Sequence, residues 1–407
     1  MSKFRLAHLG LVMAAIGFTL APPLLGLAPT AHAADTVRAE VGKPLQEAQK
    51  LASAGKNKEA LAKLRDADAI GNKTPFETYQ IERVRASAAA ASGDNGAAIK
   101  AFEAVINSGR LSAAEAPKFT QALAGMYYRA KDWPNAITWI NRSLKDHEDV
   151  QMRELLVQTY YVSGNYAAAT KELQASKSNS EGNLQLLANI QLKQGDKAGY
   201  VSTLEKLAGN YPKTSYWADL LNRVSGKPGF SDRLGLDVQR LRLGAGLLAK
   251  PGEYMEMSQL ALQASNPAEA TKIIDQGYKK GVLGTGADAP RHQRLKDLAA
   301  KTLAESNASA AKSEAEFIKN KDADGLGALG FALVSNGQAD KGLDLMNQAV
   351  KMGSAKRPEE LKLHLGIAYA QAGKKANALS TLKTVQGSDG AADLARYWTL
   401  QINHPAA

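Results

Sequence analysis

The chain has 407 residues, 44% of them hydrophobic, 22% charged and only 6% aromatic, which is enough apolar content for a continuous core and too much for a disordered chain. Cysteine is absent, and that excludes disulfides, thiolate metal sites and a cysteine nucleophile together. The formal net charge of +11, from 51 basic and 40 acidic residues, favours anionic partners through long-range steering. The basic residues are scattered and accompany no reading motif, so no nucleic-acid partner is expected.

At the start, Met1 to His8 carries Lys3 and Arg5, Leu9 to Leu20 is almost wholly apolar, and Ala31-His32-Ala33 is a small-x-small site. These are the parts of a secretory signal peptide, expected over residues 1–33 and removed after Ala33. The competing reading is an uncleaved anchor, but Pro22-Pro23 interrupts the apolar run it would need. No cysteine follows to carry a lipid. An exported chain without cysteine is expected in a bacterial periplasm, an oxidising compartment in which it has no thiol to pair. No later stretch is long and apolar enough to span a bilayer.

Beyond the leader one phrase recurs: a helix, a turn usually containing glycine, then alanine, an aliphatic residue, a large residue and a small one at helical spacing. It reads Gly55 to Ala60-Leu61, Leu64 and Ala67; Gly93-Asp94 to Ala98-Ile99, Phe102 and Val105; and Lys131-Asp132-Trp133-Pro134 to Ala136-Ile137, Ile140 and Ser143. Two further units are Gly164-Asn165-Tyr166 to Ala169-Thr170, Leu173 and Ser176, and Gly195-Asp196 to Tyr200-Val201, Leu204 and Leu207. A recurrence at this period predicts a solenoid of helix hairpins. The turn glycine ends the first helix in a left-handed conformation, and the small residue after it lets the second helix approach closely. No single hairpin buries both of its faces, so stability must come from stacking.

With Tyr211-Pro212 standing where a terminating proline is common, the chain resembles the tetratricopeptide repeat family. The pattern returns at Asn266-Pro267 to Ala270-Thr271 and Ile274, at Gly337 to Gly342-Leu343, Met346 and Ala349, and at Leu365-Gly366, Tyr369, Ala372-Gly373, Ala378-Leu379 and Leu382. The expectation is an all-α fold, a right-handed α-solenoid of stacked antiparallel helix hairpins without β-sheet. Its expected divisions are an N-terminal array over 34–213, an irregular helical joint over 214–250, a degenerate C-terminal array over 251–388 and a capping helix with tail over 389–407. Within the joint, Lys227-Pro228-Gly229-Phe230 ends one helix and Ser231 is expected to cap the next. The apolar run Leu234, Leu236, Val238, Leu241 and Leu243 is expected to pack deeply. Ala287 to Lys321 reads as two Ala- and Lys-rich helices separated near Asn307, followed by a polar turn.

Catalytic patterns fail on context. Gly325-x-Gly327-x-x-Gly330 matches a dinucleotide fingerprint by letter but lacks the preceding strand, so its glycines are read as helix-packing positions. Ser53-Ala-Gly-Lys56 and Ser309-Ala-Ala-Lys312 lack the companion signatures of penicillin-interacting enzymes. His147, His292, His364 and His404 are too far apart in sequence to be helical metal ligands. Neighbouring carboxylates, Glu359 with Glu360 and Glu314 with Glu316, suit helix starts better than a glycosidase pair. No catalytic residue, metal or cofactor is expected.

The resemblance to the repeat family implies a ligand groove lined by the first helix of each hairpin. Mapping the family's contact positions onto this chain gives Lys118, Gln121, Tyr128 and Arg129; Gln151, Glu154, Gln158 and Tyr161; and Gln185, Asn189 and Lys193. Amides in such a row can hold an extended peptide backbone, and tyrosine adds contact area at low entropy cost; a merely solvated face is the bland alternative. The corresponding C-terminal positions Phe331, Val334 and Ile367 are apolar, either buried by neighbours or forming a second, greasier surface. The sequence therefore points to a periplasmic, non-catalytic scaffold for a protein or peptide of the cell envelope. A subunit that binds an anionic envelope polysaccharide or assists its export is the alternative, and an enzyme acting on peptidoglycan stands behind both.

Overall fold

The computed structural model describes residues 36–176 and 178–405; the expected signal peptide and its cleavage site lie outside them. Among the described residues are 20 α-helices, one short 3-10 turn and no strand. None of these helices is long and apolar enough to cross a membrane. The chain divides into two compact units, one ending at Ser178 and the other beginning at Asn179, so the segment 214–250 lies within the second.

The first unit consists of four hairpins: α1 (Ala39–Ser53) with α2 (Asn57–Asp68), α3 (Pro75–Ser92) with α4 (Asn95–Asn107), α5 (Ala116–Arg129) with α6 (Trp133–Asp146), and α7 (Val150–Val162) with α8 (Tyr166–Ala175). Each helix packs on its hairpin partner and, through the first helix of the next hairpin, on its neighbour. Two apolar cores run through the stack, a small one around Leu64 and Ile81 and a larger one from Tyr79 to Leu156.

The second unit opens with α9 (Glu181–Gln194) and α10 (Lys197–Asn210), then α11 (Thr214–Ser225), a 3-10 turn (Asp232–Leu234) and α12 (Gly235–Gly244). It continues with the hairpin α13 (Pro251–Gln263) and α14 (Pro267–Lys279), the long α15 (Ala289–Asn320), and the hairpins α16 (Ala323–Ser335) with α17 (Ala339–Met352) and α18 (Pro358–Gln371) with α19 (Lys375–Leu382). The last helix, α20 (Ala391–Asn403), packs on α18 and α19 and also on α10 and α12. It thereby joins the end of the second unit to its beginning. Leu184, Leu207, Trp217, Leu241, Met346, Leu382 and Tyr397 share one buried core across that closure.

The turns form as the repeated phrase requires. Gly55, Gly93, Gly164, Gly195, Gly337 and Gly373 all take positive φ, between 72° and 85°. After Gly93 and Gly195 the next backbone N–H reaches back to close the helix end, from Asp94 to Ala89 O and from Asp196 to Gln191 O, the double closure that satisfies otherwise orphaned carbonyls. The same aspartates then cap the second helix, accepting from the N–H of Ala97 and Gly199. The small positions are filled as expected: Ala60, Ala98, Ala136, Ala169, Ala270 and Ala378 are at most 1% exposed. Gly330 and Gly342 bring α16 and α17 into backbone contact, since a Cβ on Gly330 would lie 2.6 Å from the Gly342 carbonyl oxygen. The fingerprint-like glycines are thus packing positions.

Two local expectations are corrected. The segment near Asn307 does not break: α15 is one helix of 32 residues, with Asn307 Oδ1 accepting from Asn336 Nδ2 at 2.9 Å. The penalty for a single interior asparagine, well under ~1 kcal/mol, is too small to stop a helix that packs on α14 and α16. Ser231 does not cap with its side chain; its backbone N–H donates to Asp389 O at 2.9 Å, which ties the turn to the residues before α20. Of the apolar run that follows, Leu234, Leu236, Val238 and Leu241 are buried and Leu243 is half-buried.

Candidate functional site

On α5, Lys118, Gln121, Tyr128 and Arg129 recur at helical spacing on the side away from the core residues Phe119, Leu123 and Met126. On α7, Gln151, Glu154, Gln158 and Tyr161 do the same, with Met152, Leu155 and Thr159 turned inward. None of these eight is buried: Lys118, Arg129, Gln151 and Glu154 are exposed, and Gln121, Tyr128, Gln158 and Tyr161 are half-buried. Each row ends in an aromatic pair across the hairpin turn, Tyr128 edge-on to Trp133 at 5.5 Å and Tyr161 to Tyr166 at 5.9 Å between ring centres. Gln121 Nε2 approaches Asp149 Oδ2 at 3.4 Å, linking the α5 row to the cap of α7. Partial desolvation by neighbouring groups lowers the Arg129 guanidinium from its ordinary value and raises the Tyr128 hydroxyl.

The α9 row belongs to the second unit. Asn189 and Lys193 are exposed, whereas Gln185 is half-buried and committed: its Nε2 donates to Tyr216 Oη at 2.5 Å, and Tyr216 in turn donates to Glu181. Glu181 is held below the usual carboxylate range by hydrogen bonds from Lys213 and Tyr216, against the effect of burial.

The expected C-terminal counterparts are mostly core. Ile367 is fully buried, and Phe331 and Val334 are about nine-tenths buried or more. Phe331 belongs to a charged cluster that sequence reading did not find. Arg240, 6% exposed, donates from Nε and Nη2 to the two oxygens of Glu269 at 2.7 and 2.6 Å, and from Nη1 to Asp237 at 2.6 Å. Its guanidinium lies 4.7 Å from the Phe331 ring centre. Asn266 Nδ2 donates to Glu269 and to Ser335 Oγ, and His364 Nε2 lies 3.1 Å from Asp237 Oδ2. Burial alone would raise the Asp237 carboxyl, but His364 and Arg240 opposite it bring it down to about 2. Arg240 is raised above its ordinary value by Glu269 and Asp237, against burial.

A cleft opens on each side of this cluster. The smaller, about 230 Å³, reaches Asp237, Phe331 and His364; the larger, about 500 Å³, reaches Glu269, Val334 and Ser335, and Arg240 lines both. The sequence signals for this site are Asp237 and Arg240 among the apolar residues of α12 and Glu269 in the first turn of α14, each ordinary by itself.

No curated protein matches the chain in sequence. Residues 183–214 match the family model of the tetratricopeptide repeat, and they comprise most of α9, all of α10 and the first residue of α11. Among solved structures the chain is similar to one in the structure of Naa15/Naa10 bound to HypK-THB, at 16% identity and a TM-score of 0.31 over 87% of this chain, and it spans 58% of that chain's length. It is also similar to the P58(IPK) TPR domain, at 13% identity and a TM-score of 0.22, over 89% of this chain and 98% of that one. For yeast Tom70 the identity is 13% and the TM-score 0.23, over 89% of this chain and 94% of that one.

Proposed function

We propose, from the premise that the chain is a protein of the tetratricopeptide repeat type, that it is a non-catalytic scaffold which binds an extended protein segment along α5 and α7. The observation that carries this reading is the pair of polar rows on those helices, left at the surface while the opposite faces are buried. Amide and carboxylate groups spaced along such rows supply donors and acceptors for a peptide backbone, and the tyrosine at the end of each row adds contact area at low entropy cost. Within the second unit, the α9 residues Asn189 and Lys193 are exposed polar groups of the same kind. The leader residues support export, so the partner is sought in the periplasm and cell envelope.

The test replaces Gln151, Gln158 and Tyr161 on α7 with alanine and measures partner recovery by in-cell crosslinking. Because none of the three is buried, the helical circular dichroism should be unchanged while recovery falls by about tenfold or more, as expected when several polar contacts and one aromatic contact are lost. Undiminished recovery by a fully folded variant would remove these rows from consideration.

A further inference from the structure

We infer that the outward face of α15 is a self-association surface, on which a second copy of the chain packs its own α15 antiparallel to the first. The surface lies on a different helix from the α5 and α7 rows, and the inference does not depend on them.

Along its 32 residues α15 turns one face into its unit, where His292, Leu295 and Ala299 are buried and Leu303, Ala310 and Phe317 half-buried. The opposite face carries Ala300, Ala304, Ala308, Ala311 and Ala315, all exposed. At about 100° per residue these five fall within one stripe about 80° wide. The solvent face of a helix ordinarily carries charged and polar groups. Alanine favours a helix wherever it stands, so the stripe alone identifies no partner.

The charges beside it do. Lys301, Glu305, Lys312 and Glu316 line one edge of the stripe, each side chain at least 59% exposed. Their links within the helix are loose, 3.9 Å from Lys301 to Glu305 and 4.0 Å from Lys312 to Glu316, so they can be exchanged for others at little cost. Lys301 and Glu316 are symmetric about a point between Ala308 and Ser309, and Glu305 and Lys312 are symmetric about the same point. A two-fold axis there lays this edge against itself with its direction reversed. Lys301 then meets Glu316 of the second copy and Glu305 meets its Lys312, and the symmetry repeats both pairs. In that register Ala304 stands opposite Ala315 and Ala308 opposite Ala311, while Ile318, 42% exposed, comes over the aliphatic stem of Lys301. The small side chains let the helix axes approach to about 8 Å. In a parallel pairing the charged edge would face the other edge of the partner helix, where Ala300 and Asn307 supply no opposite charge. The antiparallel contact runs about 27 Å along the axis and covers on the order of 1,000 Å², the low end for a specific interface. A dimer with a dissociation constant of about 10–100 µM is expected.

Sedimentation velocity of the full chain between about 1 and 500 µM tests this, the parent passing from monomer to dimer within that range. Ala308→Glu combined with Ala311→Glu sets carboxylates against each other inside the contact and should leave a monomer throughout. Glu305→Lys or Lys312→Glu alone places like charges opposite one another and should weaken association about tenfold or more. An equimolar mixture of those two single variants should recover the parental constant, because each chain then offers the other an opposite charge at both of the changed pairs. Circular dichroism should be unchanged in every variant, since these side chains are exposed, and it separates loss of contact from loss of fold. The inference is overturned if the parent stays monomeric to about 500 µM, if the double glutamate variant associates as the parent does, or if the mixed single variants associate no better than either alone.

Discussion

Lys131, Ser265 and Lys321 sit in the left-handed region with φ of 60°, 56° and 53°, at turns where sister repeats use glycine. The turn imposes that backbone whatever residue occupies it, so at these positions the side chain is held against its own preference. Lys131→Gly and Lys321→Gly should therefore each raise stability in urea unfolding by about 1 kcal/mol, the relieved strain outweighing the added freedom of the unfolded chain. Gly93→Ala should move stability the other way by a similar amount, because the turn keeps its shape and a Cβ enters the strained region. This is also the scale at which the sequence was most readable. Glycine, alanine and the large aliphatic residue each have one physical task in the repeat, and they stand at the expected places. What could not be read was the meeting of residues distant in the chain: Asp237 and His364 lie 127 positions apart, and no local pattern marks them as partners. Arg240 and Glu269, 29 apart, are ordinary helix residues until the fold brings them together.

At the scale of single elements, α16 and α17 form the closest hairpin because both have glycine where their backbones cross. A Cβ on Gly342 would meet the Gly330 carbonyl oxygen and the Val334 side chain. Neither the backbone nor a buried valine can withdraw freely, so Gly342→Ala should cost about 1–3 kcal/mol in thermal or urea unfolding, the usual range for an overpacked core. Gly182→Ala is the control. That glycine lies in the first turn of α9, with nothing near its missing Cβ and no positive φ, so alanine should be neutral or stabilising by up to about 1 kcal/mol. Helix ends were legible wherever glycine or proline marked them. The continuity of α15 was not, because an asparagine favours turns in isolation while its neighbours on α16 decide the outcome here.

At the scale of the whole molecule, two fully buried carboxylates contribute to the response to acid, one in each unit. Glu77 is lowered to about 2 by hydrogen bonds from Arg38 and from the backbone of Thr74, and Asp237 is held at about 2 by His364 and Arg240 although burial opposes it. Both values lie below those of the unfolded chain, 4.5 and 3.8. Their stabilisation is therefore complete above the unfolded values and is lost as pH falls through the folded ones. The unfolding midpoint in urea should be level near neutrality and drop between about pH 4.5 and pH 2. Glu77→Gln should lower stability at pH 7 and flatten the first unit's share of that drop. A steep loss above pH 5 would assign acid sensitivity to other groups.

The return of α20 to α10 bears on how the protein is made. Arg396 reaches Glu205, 191 residues earlier, and Lys227 pairs with Asp393 across 166. The first unit depends on contacts between neighbouring hairpins, so it can be assembled in the order in which its residues are synthesised. The second cannot be completed that way: its earliest hairpin waits for its latest helix before its core closes. During synthesis it is an unfinished, sticky surface for longer than a simple stack of the same size, and its folding carries the entropy of closing a long loop. An exported chain that must cross a membrane before folding would gain from that delay.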